Sequence, residues 1–452
     1  MRDPNKLGEE RIGSLLWQFS IPAITGMIVF ALYNIVSRVF ISRVEGDLAL
    51  AGISLTFPIF TILIAVGMLI GVGSANLISI RLGEHKKDEA EKILGNAFSL
   101  FVLTGIVLTA LSLFYAEDLL ILFGASSQTL PYAMAYCIPI LWSIIISFMA
   151  MGMNNIIRAE GNPAIAMNTM LIGAFLSLLL NPLFIYKFHW GVQGAAYATV
   201  ISNVISAIWV LAHFTVGKSY LRLRWQNLKI DLKIMFPALA IGLSPFVMQL
   251  AASLVAVIAN LSLAHFGGDI AIGAMGIVNS IAILTIMPIT GLSQASQPIL
   301  GFNYGAKKFQ RLKDTLNLSI IAATVFSTFG FILVVFFPHL IINLFVRKSD
   351  TLMMQTTVQG LQIFLFMLPL IGFQLMGANY FQAVSKPKVS IFLNLLRQMI
   401  LFIPLVFFLP HVFGLAGVWL AGPVSDTIAA LITAVVLYLE IRSLNRKILQ
   451  EA

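Results

Sequence analysis

Long apolar runs, interrupted by short charged or Gly/Pro-rich stretches, set the pattern of the whole chain. A run of about 18 residues or more can cross roughly 30 Å of hydrocarbon at about 1.5 Å per residue. Twelve runs of this kind are delimited, at residues 14–42, 49–80, 92–116, 130–157, 163–187, 192–217, 234–265, 270–303, 315–345, 352–384, 387–411 and 414–441. The first is too long for the apolar part of a signal peptide, and Ser42-Arg43-Val44 is a poor cleavage site, so it reads as a retained helix. The longest runs exceed one crossing. Pro22, Pro58, Pro245, Pro288 and Pro369 mark places where such helices can kink. The pattern therefore predicts an all-α polytopic membrane protein of twelve transmembrane helices.

Composition agrees: 59% of residues are hydrophobic and 10% charged, whereas a soluble domain carries about 25% charged residues. The net charge of +9 could suggest a nucleic-acid partner, but the basic residues lie in short loops between apolar runs, so no nucleic acid is expected. Of the 28 Lys and Arg, 22 fall on one side of the predicted membrane and four, Arg43, Lys187, Arg347 and Lys348, on the other. That asymmetry predicts that both termini are cytoplasmic. The remaining two, Arg38 and Arg397, lie inside predicted spans. The single cysteine, Cys137, excludes an intrachain disulfide and a CxxC pair.

The chain repeats itself at an offset of 222 to 224 residues. Gly46-Asp47-Leu48-Ala49-Leu50 pairs with Gly268-Asp269-Ile270-Ala271-Ile272, Gly83 with Gly305, and Pro163 with Pro387. Further along, Pro182 falls on Pro404, Gly191 and Gly194 on Gly414 and Gly417, and Ser202-Asn203 on Ser425-Asp426. Six predicted helices are thus repeated as six. Six is even, so both halves enter from the same side, a parallel repeat about an axis along the membrane normal. The division predicted is a first bundle at 1–217, a basic cytoplasmic linker at 218–233 and a second bundle at 234–452. Two like bundles enclosing a pathway favour transport. Enzyme chemistry finds no support: HExxH and GxSxG are absent, no metal-ligand set is seen, and Val216-Gly217-Lys218-Ser219 lacks the earlier glycine of a phosphate loop, having Ala212 there. No cofactor is expected, only a coupling ion.

Several motifs carry a family resemblance: RAEGNP at 158–163, NPLFIY and GVQGAAYATVIS within 181–202, FNYGAKK at 302–308, and LLRQ, IPL and FGLAGVWLAGPVSD within 395–426. Together they resemble the MATE (multidrug and toxic compound extrusion) family, and within it the bacterial DinF and MepA-like branches. The resemblance implies two six-helix bundles around a central cavity, in the cytoplasmic membrane of a bacterium, and alternating-access antiport of organic compounds against H⁺ or Na⁺. It also implies a cation site in the first bundle, where family members carry aspartates at the positions of Ser37 and Asn181. Here both carboxylates are replaced, the partner asparagine corresponds to Ser177, and the threonine is kept as Thr199. Such a site has oxygens but no charge, so it should hold Na⁺ weakly and cannot titrate near neutrality. The carboxylates that some members carry on the seventh and tenth helices are also absent.

By the same resemblance, polar residues facing the central cleft are Asn34, Asn76, Gln249, Asn279, Gln294, Gln374 and Asn379. The expected partners are a small organic substrate and membrane lipids, with the protein acting as a monomer. The expected coupling candidates are Arg397 and Asp426. Arg397 lies nine residues past Lys388, about 14 Å into the membrane, and Asp426 twelve residues past Gly414, about 18 Å from the opposite face. In a core of about 30 Å the two depths agree, and each charge would be costly to bury alone. The alternative reading is a flippase for a lipid-linked precursor, to which Arg38 and Arg397 give some substance. A channel finds no filter-like loop, and a sensor no soluble domain.

Overall fold

The computed structural model describes residues 4–343 and 351–451; the side chains at 34, 35, 38, 39, 42, 43, 47, 450 and 451 fall outside that description, as do Arg347 and Lys348. Among the described residues the regular structure is helical, with no strand. In chain order the helices are α1 (Ile12–Leu55), α2 (Phe57–Gly83), α3 (Lys87–Phe114), α4 (Ala116–Leu122), α5 (Leu130–Trp142), α6 (Ile144–Ala159), α7 (Pro163–Pro182) and α8 (Gly191–Thr215). They continue as α9 (Leu232–Gly305), α10 (Phe309–Phe336), α11 (Pro338–Ile342), α12 (Thr351–Phe364), α13 (Leu368–Ala383), α14 (Pro387–Leu395), α15 (Phe402–Phe413) and α16 (Leu415–Glu451). Among the described residues, nine helices are long and apolar enough to cross a membrane, and two bent pairs raise the count to 11. One of the nine, α9, is two helices joined across Gly268, and counting both gives the expected twelve among the described residues.

Both ends of α9 pack against α2. A Cβ placed on Gly242 would meet the Leu69 carbonyl oxygen at 1.8 Å, and one on Gly305 the Ile80 carbonyl oxygen at 2.0 Å. Leu69 and Ile80 are about 16 Å apart along α2, whereas 63 residues of straight helix would hold Gly242 and Gly305 about 95 Å apart. The chain must therefore turn back, and it does so at Gly268, with φ 61° and ψ −161°. Only glycine adopts this conformation without strain. Gly46 does the same in α1, at φ 77° and ψ −170°.

The duplication is written into the backbone as well as the side chains. Positive φ recurs at repeat-related positions: Gly46 and Gly268, His85 and Lys307, Gly161 and Ser385, Gly191 and Gly414. The fourth crossing of each half is also broken at the same place, α5 to α6 by 62° around Ser143 and α12 to α13 by 46° around residues 365–367. At the first break Ser143 sends both its N–H, at 2.9 Å, and its hydroxyl, at 2.8 Å, to the Ile140 carbonyl, replacing the regular helical bond. At the second, Pro369 lacks an N–H to continue the ladder.

By internal contacts the chain forms two compact units. Unit 1 comprises the residues up to Glu10, Ile21–Phe246 and Gly301–Lys307; unit 2 comprises Arg11–Ser20, Val247–Leu300 and the chain from Lys308 onward. The segment 218–233 lies within unit 1. Within unit 1, α2 and the closing end of α9 cross reciprocally. A Cβ on Gly83 would lie 2.0 Å from the Phe302 carbonyl oxygen, just as one on Gly305 would lie 2.0 Å from that of Ile80. The two contacts are repeat-related, since Gly83 maps onto Gly305 and Ile80 onto Phe302 at the offset of 222. In unit 2 the core gathers Leu263, Val278, Leu361, Leu368, Val406 and Trp419, all at most 1% exposed. The Trp419 ring closes on Gly360, where any side chain would collide with it.

Candidate functional site

The candidate site in unit 2 joins two helices through charge. Arg397 Nε lies 3.3 Å from Asp426 Oδ1, and Asp426 is 7% exposed. Arg397 sits in a π-helical segment, Leu396–Leu401, between α14 and α15, and Asp426 sits in α16. A π-helical turn widens the helix and re-aims its side chains, and such turns cluster at functional positions. At their equal depths the two side chains are in contact. Asp426 is buried and Arg397 partly so, and removing the guanidinium leaves a buried carboxylate uncompensated.

The polar set in unit 1 is assembled differently. Asn181 Nδ2 donates to Ser37 Oγ at 2.9 Å and to Ser177 Oγ at 3.0 Å, so three of the four expected residues share one cluster. Both amide hydrogens are used, while the buried Oδ1 has no partner among the described residues. Thr199 does not join by a hydrogen bond; its hydroxyl donates to the Ala195 carbonyl one turn earlier, at 3.0 Å. Pro182 follows Asn181 directly, and α7 then passes into a second π-helical segment, Leu183–Lys187. Both candidate sites therefore adjoin a π-helical turn, yet one is ionic and the other neutral.

The expected cavity residues have varied surroundings. Asn34 lies among the side chains that are not described. Asn76 is 1% exposed, and its Nδ2 has no partner among the described residues. Gln374, 2% exposed, donates from Nε2 to the Leu393 carbonyl at 3.1 Å and so ties α13 to α14. Asn379 donates to the Ser293 hydroxyl. Gln249 and Gln294 are half-buried, and Asn279 is exposed.

One polar centre escaped the sequence reading. Glu160, inside the RAEGNP stretch, is 0% exposed; it pairs with His213 and accepts from Asn162 Nδ2 at 2.8 Å, Ser219 Oγ at 2.5 Å and Leu221 N at 3.3 Å. Glu91, 1% exposed, accepts from Arg224 Nε at 2.9 Å and Arg222 N at 3.2 Å. A carboxylate between two apolar runs looks like a solvated loop charge. Only the fold reveals that segment 218–231 covers it.

These features define a polytopic helical membrane protein built by duplication, with ionisable groups buried inside its spans. The MatE family profile matches residues 22–183 and 245–408, one stretch in each repeat, and the chain belongs to this family of transporters. The multidrug export protein MepA of Staphylococcus aureus (strain MSSA476) is 28% identical over 426 residues, 94% of this chain and 93% of MepA. A solved structure of the MATE multidrug transporter DinF-BH is 41% identical, with a TM-score of 0.89, covering 95% of this chain and 96% of that one. A structure of a MATE protein in complex with MaL6 superposes with a TM-score of 0.94 at 25% identity, covering 99% and 100% of the two chains.

Proposed function

We propose that the protein exports amphipathic organic compounds across a bacterial cytoplasmic membrane by alternating access, in antiport with protons rather than Na⁺, as a monomer with both termini in the cytoplasm. End-to-end similarity to multidrug exporters supports the substrate class and favours it over translocation of a lipid-linked precursor. The basic-residue asymmetry supports the orientation.

The single observation that carries the choice of ion is the contrast between the two polar sites. The cluster of Ser37, Ser177 and Asn181 is neutral, so it offers Na⁺ only uncharged oxygens to replace its hydration shell. Asp426 can take up a proton, and doing so removes the charge that holds Arg397. Protonation would then free the π-helical segment from α16, a two-state element of the kind a proton can bias. Asn34, Asn76, Gln249, Asn279, Gln294, Gln374 and Asn379 would line the substrate path.

The test is dye efflux in everted vesicles, with ethidium and a rhodamine in the panel, under imposed pH or Na⁺ gradients and beside a lipid-precursor translocation assay. Efflux that follows the pH gradient and ignores Na⁺ is expected. Efflux that survives collapse of the pH gradient but stops without Na⁺ overturns the ion, and precursor translocation without dye export overturns the substrate class.

A further inference from the structure

The segment between α8 and α9 has the look of a tether: four basic residues, no long helix and an exposed Trp225. Its backbone is not free. Glu160 receives the Ser219 hydroxyl and the Leu221 N–H. Glu91 on α3 receives the Arg222 N–H and the Arg224 guanidinium. Further along α3, Asn96 Oδ1 receives the Asp231 N–H at 2.5 Å and its Nδ2 donates to the Asn227 carbonyl at 3.2 Å. Ser99 completes the row with a bond to the Leu228 carbonyl at 2.6 Å. The fit leaves no slack, since a Cβ on Gly95 would stand 2.5 Å from the Asn227 carbonyl oxygen.

We propose that residues 218–231 form a rigid strap pinned by the buried carboxylates Glu160 and Glu91, and that the pins position the start of α9. Conformational change in the transport cycle is then absorbed within α9 beyond Met235 and not in the segment joining the repeats. The energetics follow from burial. Glu160 is fully covered and accepts four hydrogen bonds, two of them from the strap. If the strap lifts, a buried carboxylate loses half its donors, which is far costlier than losing the same bonds in water. The strap ends by capping α9: the Asp231 side chain accepts from the Lys233 N–H at 2.9 Å. Position therefore passes from α3 through the strap to the first turn of α9 without a flexible joint. Glu160 and Glu91 act as positioning residues, and the second half of the proposal rests on the alternating-access reading above.

Hydrogen exchange on the full-length protein in nanodiscs tests the pinning without any variant. The amides of Leu221, Arg222 and Asp231 should exchange at least about a hundredfold more slowly than an unstructured loop; free exchange overturns the strap. Trypsin gives a second readout, because Lys218, Arg224 and Lys229 are exposed. Glu91→Ala and Glu160→Ala should be cut within 218–231 at least about tenfold faster than the wild type, and Glu160→Gln, which keeps an acceptor oxygen, should stay close to it. Equal cutting of the wild type and both alanine variants refutes the pins. For function, four Gly/Ser residues inserted after Gln226 should lower ethidium efflux several-fold while leaving ethidium affinity unchanged; efflux at the wild-type rate overturns the positioning role. Should the wild type export no dye at all, the export reading falls, while exchange and proteolysis still decide the strap.

Discussion

Arg397 and Asp426 hold each other inside unit 2 at 3.3 Å, with the guanidinium carried on a π-helical segment and the carboxylate on the neighbouring α16. The pair separates two roles that a mutation can tell apart. Arg397→Ala leaves a buried, unpaired carboxylate and should cost about 3–5 kcal/mol of stability, read as a lower Tm. Asp426→Asn keeps a hydrogen-bonding group of the same shape, so folded protein that binds dye but no longer responds to a pH gradient is expected. Normal stability together with normal pH-driven efflux in Asp426→Asn would remove the pair from the mechanism.

The neutral cluster makes its own forecast. Replacing choline chloride with NaCl at equal ionic strength should leave the Tm unchanged, since the cluster of Ser37, Ser177 and Asn181 carries no formal charge to hold Na⁺. Asn181→Asp should make the Tm respond to Na⁺ or pH. A Na⁺-dependent rise in the wild-type Tm counts against the proposed ion.

Glycine positions offer a matched pair of substitutions. Gly276 has open space where a Cβ would go, so Gly276→Ala should be neutral or gain up to about 1 kcal/mol from helix propensity. Gly83→Ala would press a methyl onto the Phe302 carbonyl oxygen, and overpacking of that kind costs about 1–3 kcal/mol or more. Thermal unfolding of the two variants side by side measures the difference.

At the loop after α2, burial pushes the Glu84 carboxyl up, but hydrogen bonds and charge from Arg81 and Lys86 outweigh it and hold its pKa below the ordinary 4.5. A carboxylate with a depressed folded pKa contributes stability that is complete above about 4.5 and fades as the pH falls. Glu84→Gln should therefore lower the Tm slightly at neutral pH and converge with the wild type in acid. A gap that widens below pH 4.5 would contradict this sign.

Cys137 is fully buried. A maleimide should label it slowly in the folded protein and stoichiometrically on heating, so the native chain carries its own unfolding probe. Rapid labelling at room temperature would contradict the packing around α5.

Much of this was legible in one dimension because membrane crossings and duplication both leave periodic marks. The apolar runs gave the spans, and paired glycines such as Gly46 and Gly268 gave the repeat. Depth arithmetic placed Arg397 beside Asp426, because a helix converts residue count into distance. Other features had no linear signature. The π-helical turns at 183–187 and 396–401 depend on local hydrogen-bond choice. The expected breaks around residues 43–48 and 266–269 are single glycine turns inside otherwise helical segments. Thr199 carries a suitable hydroxyl, but the Ala195 carbonyl one turn away holds it. Glu160 and Glu91 read as loop charges because nothing in the sequence says that a distant segment will fold over them.

The reciprocal crossing of Gly83 with Phe302 and Gly305 with Ile80 constrains how this duplicated chain can change over generations. Each glycine abuts main chain, which every amino acid possesses, so no second substitution can restore space lost to a first. A side chain pressed by a neighbour can be rescued by trimming that neighbour, whereas a carbonyl cannot be trimmed. The two copies are free to diverge over most of their surfaces, but at this point neither copy's glycine can drift while the other's backbone stays where it is.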